Sequence, residues 1–277
     1  MTKRTRGTLS ARLAGVLSGL AGQDRVVFAV DDFVRAAKCS RQKAWRALNS
    51  LTDGGWTVRL AKGRYLLVPL EAGPKATWTE DALVIACHLA TPAAVAYWSA
   101  CHYWNWTEQV SRTAFAQTTW RVRPRVQKVL GVTYRFIRVT PKKFFGTIER
   151  TAGQGRFTIT DREKTLVDAL DRPDLCGGIG QVSEVLAAAD EIDWDTVEAY
   201  IERMGSGAVY KRLGFLVEML GEKTKIPGRK RRLEVWQSKL TGGHAPLEPG
   251  GPRTGSANSR WLIRVNVPGM GGNTEKR

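Results

Sequence analysis

The chain is short of cysteine, histidine and acid. Cys39, Cys87, Cys101 and Cys176 are its 4 cysteines in 277 residues, and no two form a Cys-x-x-Cys pair. Only His88, His102 and His244 could supply imidazole. This argues against a zinc ribbon, a Cys2His2 zinc finger and a thioredoxin-type motif. A chain of this length buries a core without disulfides, so reduced thiols in the cytoplasm are the expectation. Nor does the sequence contain G-x-S-x-G, G-x-x-x-x-G-K-[ST] or H-E-x-x-H. Gly177-Gly178-Ile179-Gly180 follows a helical pattern rather than a strand, which argues against a dinucleotide-binding turn. Long hydrophobic runs are missing too. Ala82 to Thr107 holds no Asp, Glu, Lys or Arg, but Thr91-Pro92 divides it. Each half falls below the roughly 20 residues that a membrane span needs. Two buried helices and no membrane are expected. Near the start, Arg12 interrupts the one apolar stretch that could serve as a secretory signal. The composition there suits a transit peptide, and it suits a first helix equally.

What is present is positive charge: 43 Lys and Arg against 26 Asp and Glu, net +17. A field of that sign favours a polyanionic partner. The excess is uneven. Residues 1–73, 74–160 and 222–277 each carry a net +8, whereas 161–221 carries −7. Such blocks mark separate binding and packing roles. The length allows two domains, and Glu71-Ala-Gly-Pro-Lys75 reads as a linker between 1–73 and 74–277.

In the first block, Leu13, Val16, Leu17 and Leu20 have helical spacing over Ser10–Leu20. Arg25–Val30 reads as a strand. A short helix from Asp31 turns Phe33, Val34 and Ala37 inward. Ser40 is an N-cap for a helix running to about Thr52 with Ala44, Leu48 and Leu51 inward, ended by Asp53-Gly54-Gly55. Trp56–Leu60 and Arg64–Leu70 flank Ala61-Lys62-Gly63 as a hairpin. This order predicts a winged helix-turn-helix, whose second helix lies in the DNA major groove. The outward face would present Ser40, Arg41, Gln42, Lys43, Arg46 and Asn49. Arg and Lys reach guanine acceptors, and Gln or Asn pairs with adenine. Arg59, Lys62 and Arg64 would sit on the wing. A merely solvated outer face is the plainer alternative.

Beyond the linker, Thr77-x-x-Glu80 has the form of a capping box opening a helix to about Leu89. Ala93–Trp106 reads as a helix whose aromatics, Tyr97, Trp98, Tyr103, Trp104 and Trp106, suit a core better than base stacking. Phe115–Val122, Tyr134–Val139 and Arg156–Thr160 read as strands. Thr160-x-x-Glu163 is a second capping box, and helices follow at 182–188, 194–204 and 209–220. Residues 242–259 read as a loop, and 261–267 as a final strand followed by a disordered tail. The predicted fold class is α+β: an N-terminal winged helix-turn-helix, then a mixed, helix-rich α/β domain.

The motif order resembles the AbiEi-type antitoxins of type IV toxin–antitoxin systems. Gly63-Arg64-Tyr65 is similar to that family's wing strand, and Trp98–Trp104 to its aromatic helix. Asn105-Trp106-Thr107-Glu108-Gln109 is similar to its Gly-Leu-Thr-Glu-Gln, with Asn105 in place of the glycine. Thr160–Leu170 with Pro173 and Gly177-Gly178, and Lys211-Arg212-Leu213-Gly214-Phe215-Leu216, resemble its later signatures. The likeness spans residues 10–270 or so and is strongest over 160–217. The run 223–232 is a local elaboration. The resemblance implies an autoregulating transcriptional repressor, with a place in phage defence. Its N-terminal domain would bind inverted repeats in double-stranded promoter DNA, as a monomer binding cooperatively. Its C-terminal domain would counteract a nucleotidyltransferase-like toxin without requiring a stable complex. No enzyme activity, catalytic residue, metal or cofactor is implied.

Two alternatives stay open. Asp161, Glu163, Lys164 and Asp168 could serve a metal-dependent nuclease. A C-terminal domain that binds a ligand around the aromatic helix would make the protein a ligand-responsive regulator without antitoxin activity.

Overall fold

The computed structural model describes residues 7–23, 25–68, 81–109, 111–153 and 155–270. The fold is α+β, with ten α-helices and three sheets among these residues. The linker at 71–75 and the Thr77/Glu80 box lie outside them, as does the tail from 271.

The first unit runs α1 (Ala11–Ala21), β1 (Val27–Ala29), α2 (Val30–Ala37), α3 (Arg41–Asp53), β2 (Thr57–Ala61) and β3 (Arg64–Leu67). Three antiparallel strands form a sheet in the order β1-β3-β2. Leu17 and Leu20 of α1, Phe33 of α2, and Leu48 and Leu51 of α3 close over Phe28 and Tyr65 on one sheet face. Phe28 stacks on both Phe33 and Tyr65, with ring centroids 6.3 and 6.1 Å away. The opposite face is buried as well. Val27, Leu60 and Leu66 pack on Ile85 and Ala86 of α4 (Ala82–Leu89) and on Tyr134 and Phe136 of a larger sheet. Strands covered on both faces read as unbroken apolar runs, and Tyr65-Leu66-Leu67 is one.

The larger sheet takes in β4 (Ala94–Val95), β5 (Thr113–Thr118), β6 (Val126–Val129), β7 (Val132–Arg138), β8 (Thr147–Ala152) and β9 (Gly155–Thr160). Its order is β6-β7-β5-β4-β9-β8, with β4·β9 and β5·β7 parallel. The helix expected over Ala93–Trp106 is therefore corrected. Ala94 and Val95 form the strand at the sheet's centre, and only α5 (Trp98–Tyr103) is helical. A small residue and a β-branched one between two long strands are held by pairing to Gln117, Ala116 and Ile159.

The rest is a helical layer: α6 (Arg162–Asp171), α7 (Ile179–Ala188), α8 (Trp194–Met204), α9 (Gly207–Leu220) and α10 (Arg229–Ser238). Its centre, α6, is buried continuously from Lys164 to Leu170. The second capping box is also corrected. Asp161 is the cap, accepting from the Lys164 N–H at 2.7 Å. Thr160 ends β9, and the Glu163 carboxylate accepts the Asp193 N–H at 3.0 Å, tying α6 to the start of α8. The expected loop 242–259 contains β10 (Ala245–Pro246) and β11 (Ser256–Asn258), which flank β12 (Ile263–Val265). No described helix is long and apolar enough to cross a membrane.

Candidate nucleic-acid interface

Three buried residues set the orientation of α3. Ala44, Leu48 and Leu51 are at most 2% exposed. Their spacing along one stripe turns Arg41, Gln42, Lys43, Arg46 and Asn49 outward, and all five are exposed. Ser40 caps the helix, its hydroxyl accepting from the Lys43 N–H at 3.4 Å. The turn before it is made by Lys38 in the left-handed region (φ 46°). Trp45, on the half-buried flank of α3, meets Tyr65 edge-on at 6.4 Å and locks the helix to the hairpin.

The hairpin reverses at Lys62-Gly63. Gly63 has φ +75°, a conformation that glycine adopts without strain. Arg59 and Lys62 are exposed there. Arg64, paired with Ala61 beside the turn, faces elsewhere. It is half-buried and donates from its guanidinium to the Thr91 hydroxyl at 3.3 Å. Its charge adds to burial in lowering the pKa of His88, whose Nδ1 lies 2.9 Å from the Val84 carbonyl oxygen.

Arg41 pairs with Asp31 at 3.0 Å across the α2–α3 turn, with both side chains more than half exposed. A pair so open to solvent contributes little and yields readily to a phosphate. Beside it, a cleft of about 410 Å³ is lined by Arg12, Arg35, Lys38 and Lys43, with Ser40 and Cys39 among its walls. Sequence reading missed the first three of these cations. They lie on α1, α2 and its end, and only packing brings them to the start of α3. Arg12 also donates to the Ala37 carbonyl at 3.3 Å, fixing α1 against the turn.

Elsewhere the expected chemistry is dispersed. Asp161 caps α6 and accepts from the Tyr200 hydroxyl at 3.0 Å, Glu163 is spent on Asp193, and Asp168 pairs with Lys164 inside the core. No group of three or more His, Cys, Asp or Glu among the described residues could hold a metal ion. Tyr97, Trp104 and Trp106 are core residues, whereas Trp98 and Tyr103 are half-buried. These last two line a cavity of about 680 Å³ with His102, Asn105, Arg112 and Asp81. Arg229 and Arg232, in the basic run, are engaged by acids. Arg229 pairs with Glu222, and Arg232 with Asp195 at 2.8 Å and Glu198 at 2.5 Å, pinning α10 to α8.

No family model and no curated protein matches the chain. Among solved structures, the crystal structure of the Rv2827c protein from Mycobacterium tuberculosis is similar, with a TM-score of 0.63. The match covers 94% of this chain and 93% of that one at 16% sequence identity, a likeness of fold.

Proposed function

We propose that the chain is a sequence-specific DNA-binding repressor that also acts as the antitoxin of a type IV toxin–antitoxin system, and is not an enzyme. In this reading residues 1–73 form a winged helix-turn-helix, with α3 as the recognition helix and the β2–β3 hairpin as its wing. One observation carries it: the five exposed polar and cationic side chains of α3 stand opposite a fully buried stripe. Beside the start of that helix lies a cleft with four cations. Arg41, Gln42, Arg46 and Asn49 are the base-reading candidates, and Arg12, Arg35, Lys38, Lys43, Arg59 and Lys62 hold phosphates. The inverted-repeat operator, the nucleotidyltransferase-like toxin and the freedom from a stable complex rest on the resemblance to AbiEi-type antitoxins.

Fluorescence anisotropy against the protein's own upstream DNA and a scrambled duplex, at about 50 and 200 mM salt, tests the repressor half. A preference for upstream DNA that persists at the higher salt supports it. Equal binding that collapses with salt refutes it. Protection of cells expressing the neighbouring toxin gene tests the other half.

The cavity favours a second reading, a ligand-responsive regulator. Its volume suits a small molecule, and its polar groups could orient one. Ala82 and Leu83 of α4 line it, while Ile85 and Ala86 of the same helix pack on the first unit. A bound molecule would thus touch the element that supports the DNA-binding unit. A metabolite that shifts operator affinity in the wild type but not in Trp98→Ala would favour this reading.

A further inference from the structure

The sequence between Glu108 and Glu149 contains no acid and nine bases. In the fold, part of this stretch links β5 to β6 at one end of the larger sheet. Trp120 lies there at 67% exposure, the highest of any large hydrophobic side chain among the described residues. With Arg121, Arg125 and Arg138 it walls a small hollow floored by Phe136 and Thr118. Arg123 is exposed on the same connection. No ion pair joins these four arginines to an acid among the described residues. That contrasts with the run at 229–232, where acids engage Arg229 and Arg232.

A lone exposed apolar residue is ordinary. An indole left in water in one hollow with three guanidinium groups that no described acid engages, and a fourth on the same connection, is a different combination. Guanidinium forks match phosphate oxygens, and an open indole face takes a stacked base. A duplex hides its base faces, so the indole has a stacking partner only on an unpaired strand. A lipid surface calls for several large apolar side chains side by side; Trp120 is the one exposed large apolar group lining the hollow, and Val126 just beyond Arg125 adds a single small one.

We infer that the end of the six-stranded sheet is a second nucleic-acid site, one that takes single strands by stacking an unpaired base on Trp120 and holding the adjoining phosphates with Arg121, Arg125 and Arg138. The site is separate from α3 and stands whether or not α3 reads an operator.

The test uses the full chain and labelled 15-nucleotide strands of deoxythymidine and of uridine, read by anisotropy. Trp120→Ala is expected to weaken binding about tenfold, in the range found for loss of one base–aromatic stack. Trp120→Phe should keep most of the affinity. Arg121→Ser with Arg125→Ser should flatten the salt dependence by about 1.4 in log–log slope, as about 0.7 is lost per phosphate contact on a single strand. The ratio between the two strands tells whether DNA or RNA is preferred. Affinity for the upstream duplex should be unchanged in Trp120→Ala, which separates this site from the α3 reading. Wild-type affinity for both strands in Trp120→Ala would overturn the inference. So would Trp120-dependent binding to vesicles containing an anionic phospholipid with no effect on either strand.

Discussion

Single side chains decide both the candidate interface and the stability of its support. Replacing Arg46 with Ala should cost about 1–3 kcal/mol of operator affinity and relax preference at one base pair, with the fold intact. Arg41→Ala should behave likewise. Asp31→Asn, which frees Arg41 from its partner, should raise affinity for any duplex. Anisotropy on matched and mismatched operators checks all three; unchanged affinity in both arginine variants would rule out the groove assignment. Deeper in, Lys164 and Asp168 form an ion pair at 0% and 3% exposure. Asp168→Ala would leave a buried ammonium without its partner, and such losses run to about 3–5 kcal/mol. Lys164→Met with Asp168→Leu should recover most of that in urea titrations. His88 supplies a pH effect. Burial holds its folded pKa below the ordinary 6.5, so the native state binds fewer protons than the unfolded chain in that window. Its contribution is complete above pH 6.5 and is lost as pH falls through 6.5 toward the folded value. Proton NMR should place its titration below 6.5, and His88→Gln should flatten the acid limb of the stability curve. Much at this scale was legible. Ser40 before an Ala44/Leu48/Leu51 stripe fixes a cap and a face from local chemistry alone. Arg64 was not, because its partner Thr91 is 27 residues away and no pattern in the wing anticipates it.

At the scale of elements, long periodic helices were readable and short paired strands were not. The helices read at 182–188, 194–204 and 209–220 lie within or on α7, α8 and α9: burial on one side sets the apolar spacing of α7 and α8, and α9, buried from Val209 to Val217, keeps a long apolar run. Ala94-Val95 failed that reading, since two residues have no period and their pairing to β5 and β9 is non-local. The edge strands β6 and β8 escaped notice because their side chains are largely exposed or half-buried, so no apolar alternation marks them. Two glycines in the later signatures have a packing cause. A Cβ on Gly177, at φ +79°, would fall 1.8 Å from the Trp98 ring, and one on Gly214 would fall 2.1 Å from Trp261. Gly177 lets the turn before α7, and Gly214 lets α9, sit directly on an indole. Gly214→Ala should therefore destabilise by about 1–3 kcal/mol or more through overpacking. Pairing it with Trp261→Leu should return part of the loss, a coupling that thermal melts of the two single variants and the double variant would reveal. Simple additivity would show that the ring moves aside at no cost.

For the molecule as a whole, the charge blocks acquire a physical meaning. The acidic segment 161–221 meets bases from outside it: Asp195 and Glu198 hold Arg232, Glu202 holds Lys239, Glu218 holds Arg260 and Asp171 holds Lys143. The net −7 of that segment thus faces part of the net +8 of 222–277, and most of the excess of +17 is left to residues 1–160. Part of it lies on α3 with its cleft and at the Trp120 end of the sheet. Linker composition placed a boundary near residue 73, but it could not show that the flanking units share a core. Val27, Leu60 and Leu66 bury one sheet face against Ile85, Tyr134 and Phe136. Each large side chain so covered contributes about 1.5–3 kcal/mol, so the contact is worth several kcal/mol. Calorimetry of the full chain should consequently give one transition. A charge at Ile85, which is 1% exposed, should break the shared core and split the melt in two. Two transitions already present in the wild type would mean that the units fold independently. In that case a molecule bound beside α4 would have no rigid route to α3, and the ligand-responsive reading would lose its mechanism while the repressor reading would stand.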